Sequence, residues 1–153
     1  SSDVCSSDLN RNEFQQVAPD KIYRAKEKLI YKFISNKLVF AYDNEQRLFL
    51  NSANILIPNV ETHSIKTVLA FLNSKLVQYI YQTKFGGIKI LKKTLTQLPF
   101  PELKINQKTK IEKNVNEYLK TKQTKYLNEI DIMVYKLFNL DNIQIKYIED
   151  NLV

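Results

Sequence analysis

"KLIYKFISNKLVFAYD", residues Lys28–Asp43, decides how the chain is read. Leu29, Tyr31 and Phe33 alternate with Ile30, Lys32 and Ile34, and Leu38, Phe40 and Tyr42 share one face further on. A period of two in a run of β-branched and aromatic residues predicts strands. Ser35-Asn36 between them is short enough for a hairpin turn, and Asn tolerates left-handed backbone. Outward from this pair, "DNEQ" (Asp43–Gln46) is a second polar turn. "RLFLNSANILIP" (Arg47–Pro58) follows as two short strands or one bent strand, stopped by the proline.

The period then changes. Ile65, Val68, Leu69, Leu72, Leu76, Tyr79 and Ile80 fall on one stripe at helical spacing, predicting a helix from Ser64 to Thr83. Phe85-Gly86-Gly87 ends it, because glycine takes positive φ without a Cβ clash. "IKIL" (Ile88–Leu91) reads as a short strand, "KKTLTQL" as a turn of helix or a loop, and "PFPEL" as extended chain. From Asn106 onward Ile111, Val115, Tyr118 and Leu119, then Leu127, Ile130, Val134, Leu137 and Phe138, predict one long helix or two in series. A last helix, "DNIQIKYIEDNL", takes Asp141 as its cap.

These elements make an α+β fold. A small mixed or antiparallel sheet (28–57 plus 88–91) packs against a helix over 64–83, and a helical C-terminal region follows. The expected organisation is a body over 10–104 and a helical region over 105–153. The first nine residues, "SSDVCSSDL", repeat Ser-Ser-Asp without periodicity and are expected to be non-native or disordered.

Charge is uneven. Residues 75–125 hold twelve Lys/Arg against three Asp/Glu, residues 1–74 nine against eight, and residues 126–153 two against five. A basic block between near-neutral and acidic flanks fits a surface that meets a polyanion, and it also fits a solvated lysine face. Both glycines of the chain and two of its four prolines lie in "KFGGIKILKKTLTQLPFPELK" (Lys84–Lys104), inside that block.

Several chemistries find no support. The single histidine, His63, precedes a helix start and suits a surface or capping role better than a metal site or a nucleophile's base. One cysteine supports neither a disulfide framework nor a thiolate metal cluster, and a reducing cytoplasm is expected. Gly86-Gly87 lacks the companions of a phosphate-binding loop. Asp20 and Glu102 with Lys104 are too far apart for a metal-dependent nuclease pattern. No apolar run approaches the ~20 residues of a membrane span.

The stretches "KEKLIYKFISNKLVFAYDNEQRLFLNSANILIP" (Lys26–Pro58), "LAFLNSKLVQYIYQTKF" (Leu69–Phe85) and "IKILKKTLTQLPFP" (Ile88–Pro101) together resemble the TaqI-like C-terminal specificity domain. This is the target recognition domain of type IIG and related restriction-modification adenine methyltransferases. The tail "NEIDIMVYKLFNLDNIQIKYIED" (Asn128–Asp150) is similar to the helical ending of the same enzymes. "LNSK", a strand and "LPFP" in that order also resemble the specificity subunits of type I systems. The resemblance covers about residues 20–150.

It implies double-stranded DNA and an N-terminal methyltransferase domain as partners, with no membrane. The chain carries neither a Gly-rich S-adenosylmethionine motif nor the Asn/Asp-Pro-Pro-Tyr/Phe motif of that domain, so no catalytic residue, metal or cofactor is expected in it. S-adenosylmethionine is expected in the methyltransferase domain. The expectation is a C-terminal fragment or a stand-alone recognition module. A docking module for a methyltransferase or nuclease subunit, without base reading, is the alternative.

Candidate DNA contacts follow from the resemblance. Lys84, Lys89, Lys92 and Lys93 can neutralise phosphates around Gly86 and Gly87, where the backbone can approach another surface closely. Lys28 and Lys32 of the first strand join them. Arg24, Tyr42, Asn44 and Arg47, with Gln46, sit in or beside strand turns where side chains can reach base edges. For Arg24 and Arg47 the competing role is a surface ion pair, and for Tyr42 it is core packing.

Overall fold

The computed structural model describes residues 20–48, 53–60 and 62–153. The first nine residues and the Phe49–Ser52 part of the third predicted strand region lie outside them. After a short helix α1 (Asp20–Tyr23), three strands form: β1 (Lys28–Lys32), β2 (Phe40–Asp43) and β3 (Ala53–Leu56). They make one antiparallel sheet in the order β2-β1-β3. Leu29 stands opposite Tyr42 on one side and Leu56 on the other, so β1 is the central strand.

Two details differ from the sequence reading. The β1–β2 link is not a two-residue turn, because pairing stops at Tyr31↔Phe40. Residues 33–39 make a longer connection, in which Ser35 Oγ bonds with the carbonyl and the N–H of Lys37. Residues 88–91 do not form a full strand. They make one antiparallel bridge, Ile34↔Lys89. It is held by Ser35 N–H to the Ile88 carbonyl (2.7 Å) and Ile90 N–H to the Phe33 carbonyl (2.8 Å).

The predicted helix over 64–83 is two helices, α2 (Ile65–Leu72) and α3 (Lys75–Lys84). Ser64 caps α2 by accepting from Thr67 N–H, and Ser74 caps α3 by accepting from Val77 N–H. Ser74 also donates to the Phe71 carbonyl at 2.7 Å. The Asn73-Ser74 pair breaks the axis because short polar side chains offer the backbone partners outside the helical ladder. The apolar stripe continues through the break, so spacing did not reveal it.

His63 is not the cap. It is half-buried, its Nε2 lies 3.0 Å from the Pro101 carbonyl, and its ring sits 6.5 Å from both Phe71 and Phe100. A proline carbonyl only accepts, so Nε2 carries the proton. This bond ties the start of α2 to the "LPFP" segment.

Beyond a helical turn α4 (Lys92–Leu95), the C-terminal stretch is α5 (Ile105–Thr121), α6 (Lys125–Leu137) and α7 (Asn142–Asp150). Lys122 (φ 59) and Asn139 (φ 55) take left-handed backbone at the two junctions. Asp141 caps α7 as expected, accepting from Gln144 N–H at 2.8 Å. The α2 helix packs on one face of the sheet and on α5, and α5 packs on α6. One buried apolar cluster joins Leu29, Phe40, Phe71, Val77 and Ile90 to Ile111, Val115, Ile130, Val134 and Ile148. Each such side chain contributes about 1.5–3 kcal/mol by leaving water, so the helical stretch and the sheet share their stabilisation. Among the described residues, no helix is long and apolar enough to cross a membrane.

Candidate nucleic-acid interface

The predicted site residues fall at two ends of β1. Lys28 pairs with Asp43 at one end, and Ile34 meets Lys89 beyond the other. Strand β1 and the bend at Phe33 separate them by at most about 20 Å.

The first group is built on Asp43. Its carboxylate accepts from the N–H groups of Glu45 (3.3 Å) and Arg47 (3.1 Å), folding the turn after β2 back on itself. Gln46 takes φ 54 there and donates its side-chain amide to the Arg24 carbonyl at 2.5 Å, joining this turn to the segment before β1. Arg24 and Asn44 are exposed. The Arg47 guanidinium lies 3.9 Å from Asp43 and forms an ion pair with Glu45. The surface ion pair that competed with base reading for Arg47 is therefore formed.

Lys28 does not belong to a DNA-facing set. Its side chain is 0% exposed, 3.4 Å from Asp43, and it donates to the Arg47 carbonyl. A strand lysine buried this way serves the fold, since its charge is retained only by the partner it faces. Tyr42 is half-buried against the core, with the Lys66 ammonium 5.3 Å from its ring centre. Burial, then the nearby Glu27 carboxylate, pushes its hydroxyl above the ordinary tyrosine range. Core packing thus holds the ring in place.

The second group is different in kind. Lys32, Lys84, Lys89, Lys92 and Lys93 are all exposed, and among the described residues none forms an ion pair with an acid. No Asp or Glu occurs between Lys84 and Leu98 to neutralise them. Lys37, which sequence reasoning passed over as part of a turn, is exposed on the same 33–39 connection. Only its polar neighbours Ser35 and Asn36 hinted at exposure.

Gly86 (φ 61) and Gly87 (φ 87) both require positive φ. Gly86 N–H bonds to the Tyr81 carbonyl at 3.1 Å as α3 ends. A Cβ would meet only the Gln82 carbonyl, 3.9 Å away, at Gly86 and nothing within 4 Å at Gly87. Backbone conformation, not crowding within the chain, selects glycine here. The turn sends the chain from α3 into the Ile34–Lys89 bridge, with Lys84 before it and Lys89, Lys92 and Lys93 after it. Among the described residues, no cluster of metal-ligating side chains accompanies them.

No curated protein matches the chain. The family model of the TaqI-like C-terminal specificity domain matches residues 7–100, a span that holds the sheet, α2, α3, the glycine turn and α4. That match covers more than half of the sequence, and the chain belongs to the family of TaqI-like C-terminal specificity domains.

Proposed function

We propose that the chain binds double-stranded DNA sequence-specifically, as the recognition domain of a restriction-modification adenine-N6 methyltransferase of type IIG or a related type. The observation that carries this reading is the group of exposed lysines without acidic partners around the glycine turn. Unpaired cations held on a short rigid segment suit phosphates, whose neutralisation releases counterions. Arg24 and Asn44 at the other end of β1, and Arg47 when DNA replaces its exposed Glu45 partner, supply the fork-shaped and amide side chains that read base edges. A separation of at most about 20 Å corresponds to no more than roughly six base-pair steps, so both groups can follow one face of a duplex. Lysines fix register there, and arginines read.

Catalysis and S-adenosylmethionine belong in this reading to a methyltransferase domain. The helical region beyond the family match offers that domain a surface, since Ile105 and Ile143 are more than 80% exposed.

The test is the triple variant Lys89→Ala, Lys92→Ala, Lys93→Ala. Its affinity should fall about equally for every duplex. The slope of log affinity against log salt should flatten by up to ~0.9 per lost phosphate contact. Unchanged affinity and slope would leave the lysines as a solvated face and favour the docking alternative.

A further inference from the structure

The single bridge Ile34↔Lys89 pins residues 33–35 and 88–90 side by side as a minimal two-stranded ribbon. Ile90 is 1% exposed and part of the core, Phe33 opposite it is half-buried, and Ile88, two residues before Ile90, is 62% exposed. Ile34 and Lys89, paired across the ribbon, are both exposed, and Leu91, two residues after Lys89, is exposed as well. Ile34 is 61% exposed and Leu91 48%, with lysines next to each. Exposed apolar residues are ordinary when scattered singly. Here three, Ile34, Ile88 and Leu91, lie on or next to one anchored ribbon, beside cations that lack acidic partners.

Resting on the DNA-binding reading above, we infer that this ribbon enters the major groove and that Ile34 and Leu91 read thymine through its 5-methyl group. The major groove is wide enough for a two-stranded β-ribbon, and the thymine methyl is the one apolar group on its base edges. Phosphates line both rims of the groove, so cations at the margin of an apolar patch have the matching arrangement. Ile34 and Leu91 are then specificity-determining residues, and the lysines around them are sequence-blind.

The experiment enriches a random-sequence duplex library on the full chain. The enriched pool is then copied once with thymidine and once with deoxyuridine, which removes only the methyl groups. The wild-type chain should bind the thymidine copy more tightly, by about fourfold per methyl contacted. Ile34→Ser and Leu91→Ser, both at exposed positions that leave the core intact, should each shrink that preference. Their salt slope should stay at the wild-type value. Equal wild-type affinity for the two copies, or an undiminished preference in both variants, overturns the inference while leaving DNA binding in place. Failure of the wild-type chain to bind any duplex overturns the DNA-binding reading and this inference with it.

Discussion

The side-chain amide of Asn73 satisfies both backbone polar groups of Phe40. Phe40 N–H donates to Asn73 Oδ1 at 2.8 Å, and Asn73 Nδ2 donates to the Phe40 carbonyl at 2.8 Å. Gln78 Oε1 adds a third bond, accepting from Leu38 N–H at 2.7 Å. Strand β2 is an edge of the sheet, and an edge left open invites pairing with another chain. The break between α2 and α3 turns Asn73 toward that edge, so one helix interruption both ends α2 and covers the start of β2.

Asn73→Ala should therefore cost about 1–2 kcal/mol, because two backbone groups lose their partner at once. Asn73→Asp keeps the acceptor but loses the donor, and its loss should lie at or above that range. Urea denaturation of the three proteins checks the order. Equal midpoints for all three would show that the amide adds nothing to the fold.

Lys28→Met should destabilise the chain by up to about 3–5 kcal/mol, since it removes the nearer and fully buried of the two cations beside the Asp43 carboxylate and leaves only the half-exposed Arg47 guanidinium. The salt dependence of duplex binding by the folded variant should equal that of wild type, because Lys28 touches no phosphate. A flattened salt slope would return Lys28 to the DNA-contacting set.

Arg24→Ala and Arg47→Ala are expected to lose roughly 1–3 kcal/mol on the cognate duplex and little on unrelated duplexes, if each forks onto a guanine. Competition binding with cognate and scrambled duplexes separates this from the uniform loss expected of the lysine variants. A uniform loss would reassign the arginines to phosphate contacts.

Ile111 and Val134 are fully buried and lie on α5 and α6, beyond the family match. Ile111→Ala should cost about 2–5 kcal/mol, and Val134→Asp should abolish the fold by burying an unpaired charge. Sheet and helices share one apolar cluster, so thermal unfolding of Ile111→Ala followed by circular dichroism should stay a single transition. Two resolved transitions would mean that the helical region melts on its own.

Asp131 supplies a pH-dependent term. Burial raises its carboxyl above the ordinary value of 3.8, against the opposing effect of the hydrogen bond from Lys75 N–H at 2.9 Å. A raised carboxyl binds its proton more tightly in the folded chain than in the unfolded one. Its contribution is therefore fullest below 3.8 and is lost as pH rises through the folded value. Asp131→Asn remains neutral and can still accept from Lys75 N–H. Its stability relative to wild type should rise from acid to neutral pH, as read from urea midpoints. A difference independent of pH would show that the carboxyl titrates alike in both states.

What the sequence determined by itself was whatever local spacing encodes. Alternation over 28–43 marked the strands, the stripe from Ile65 to Ile80 marked helix, Gly86-Gly87 marked its end, and Asp141 marked the last cap. The order of these pieces also sufficed for the family. Tertiary structure alone decided the roles that depend on distant partners. The stripe crosses the Asn73-Ser74 break in phase, so the break became visible only when Phe40, 33 residues away, claimed the Asn73 amide. Lys28 and Lys32 are alike as letters in one strand. The first is buried because Asp43 faces it, and the second is exposed because no acid does. Twelve candidate contacts looked like one set along the chain, and β1 holds them apart by its own length, since a strand is stiff and its ends cannot meet. Periodicity reports which way a side chain points from its own backbone; what it meets there is set by segments that fold from elsewhere.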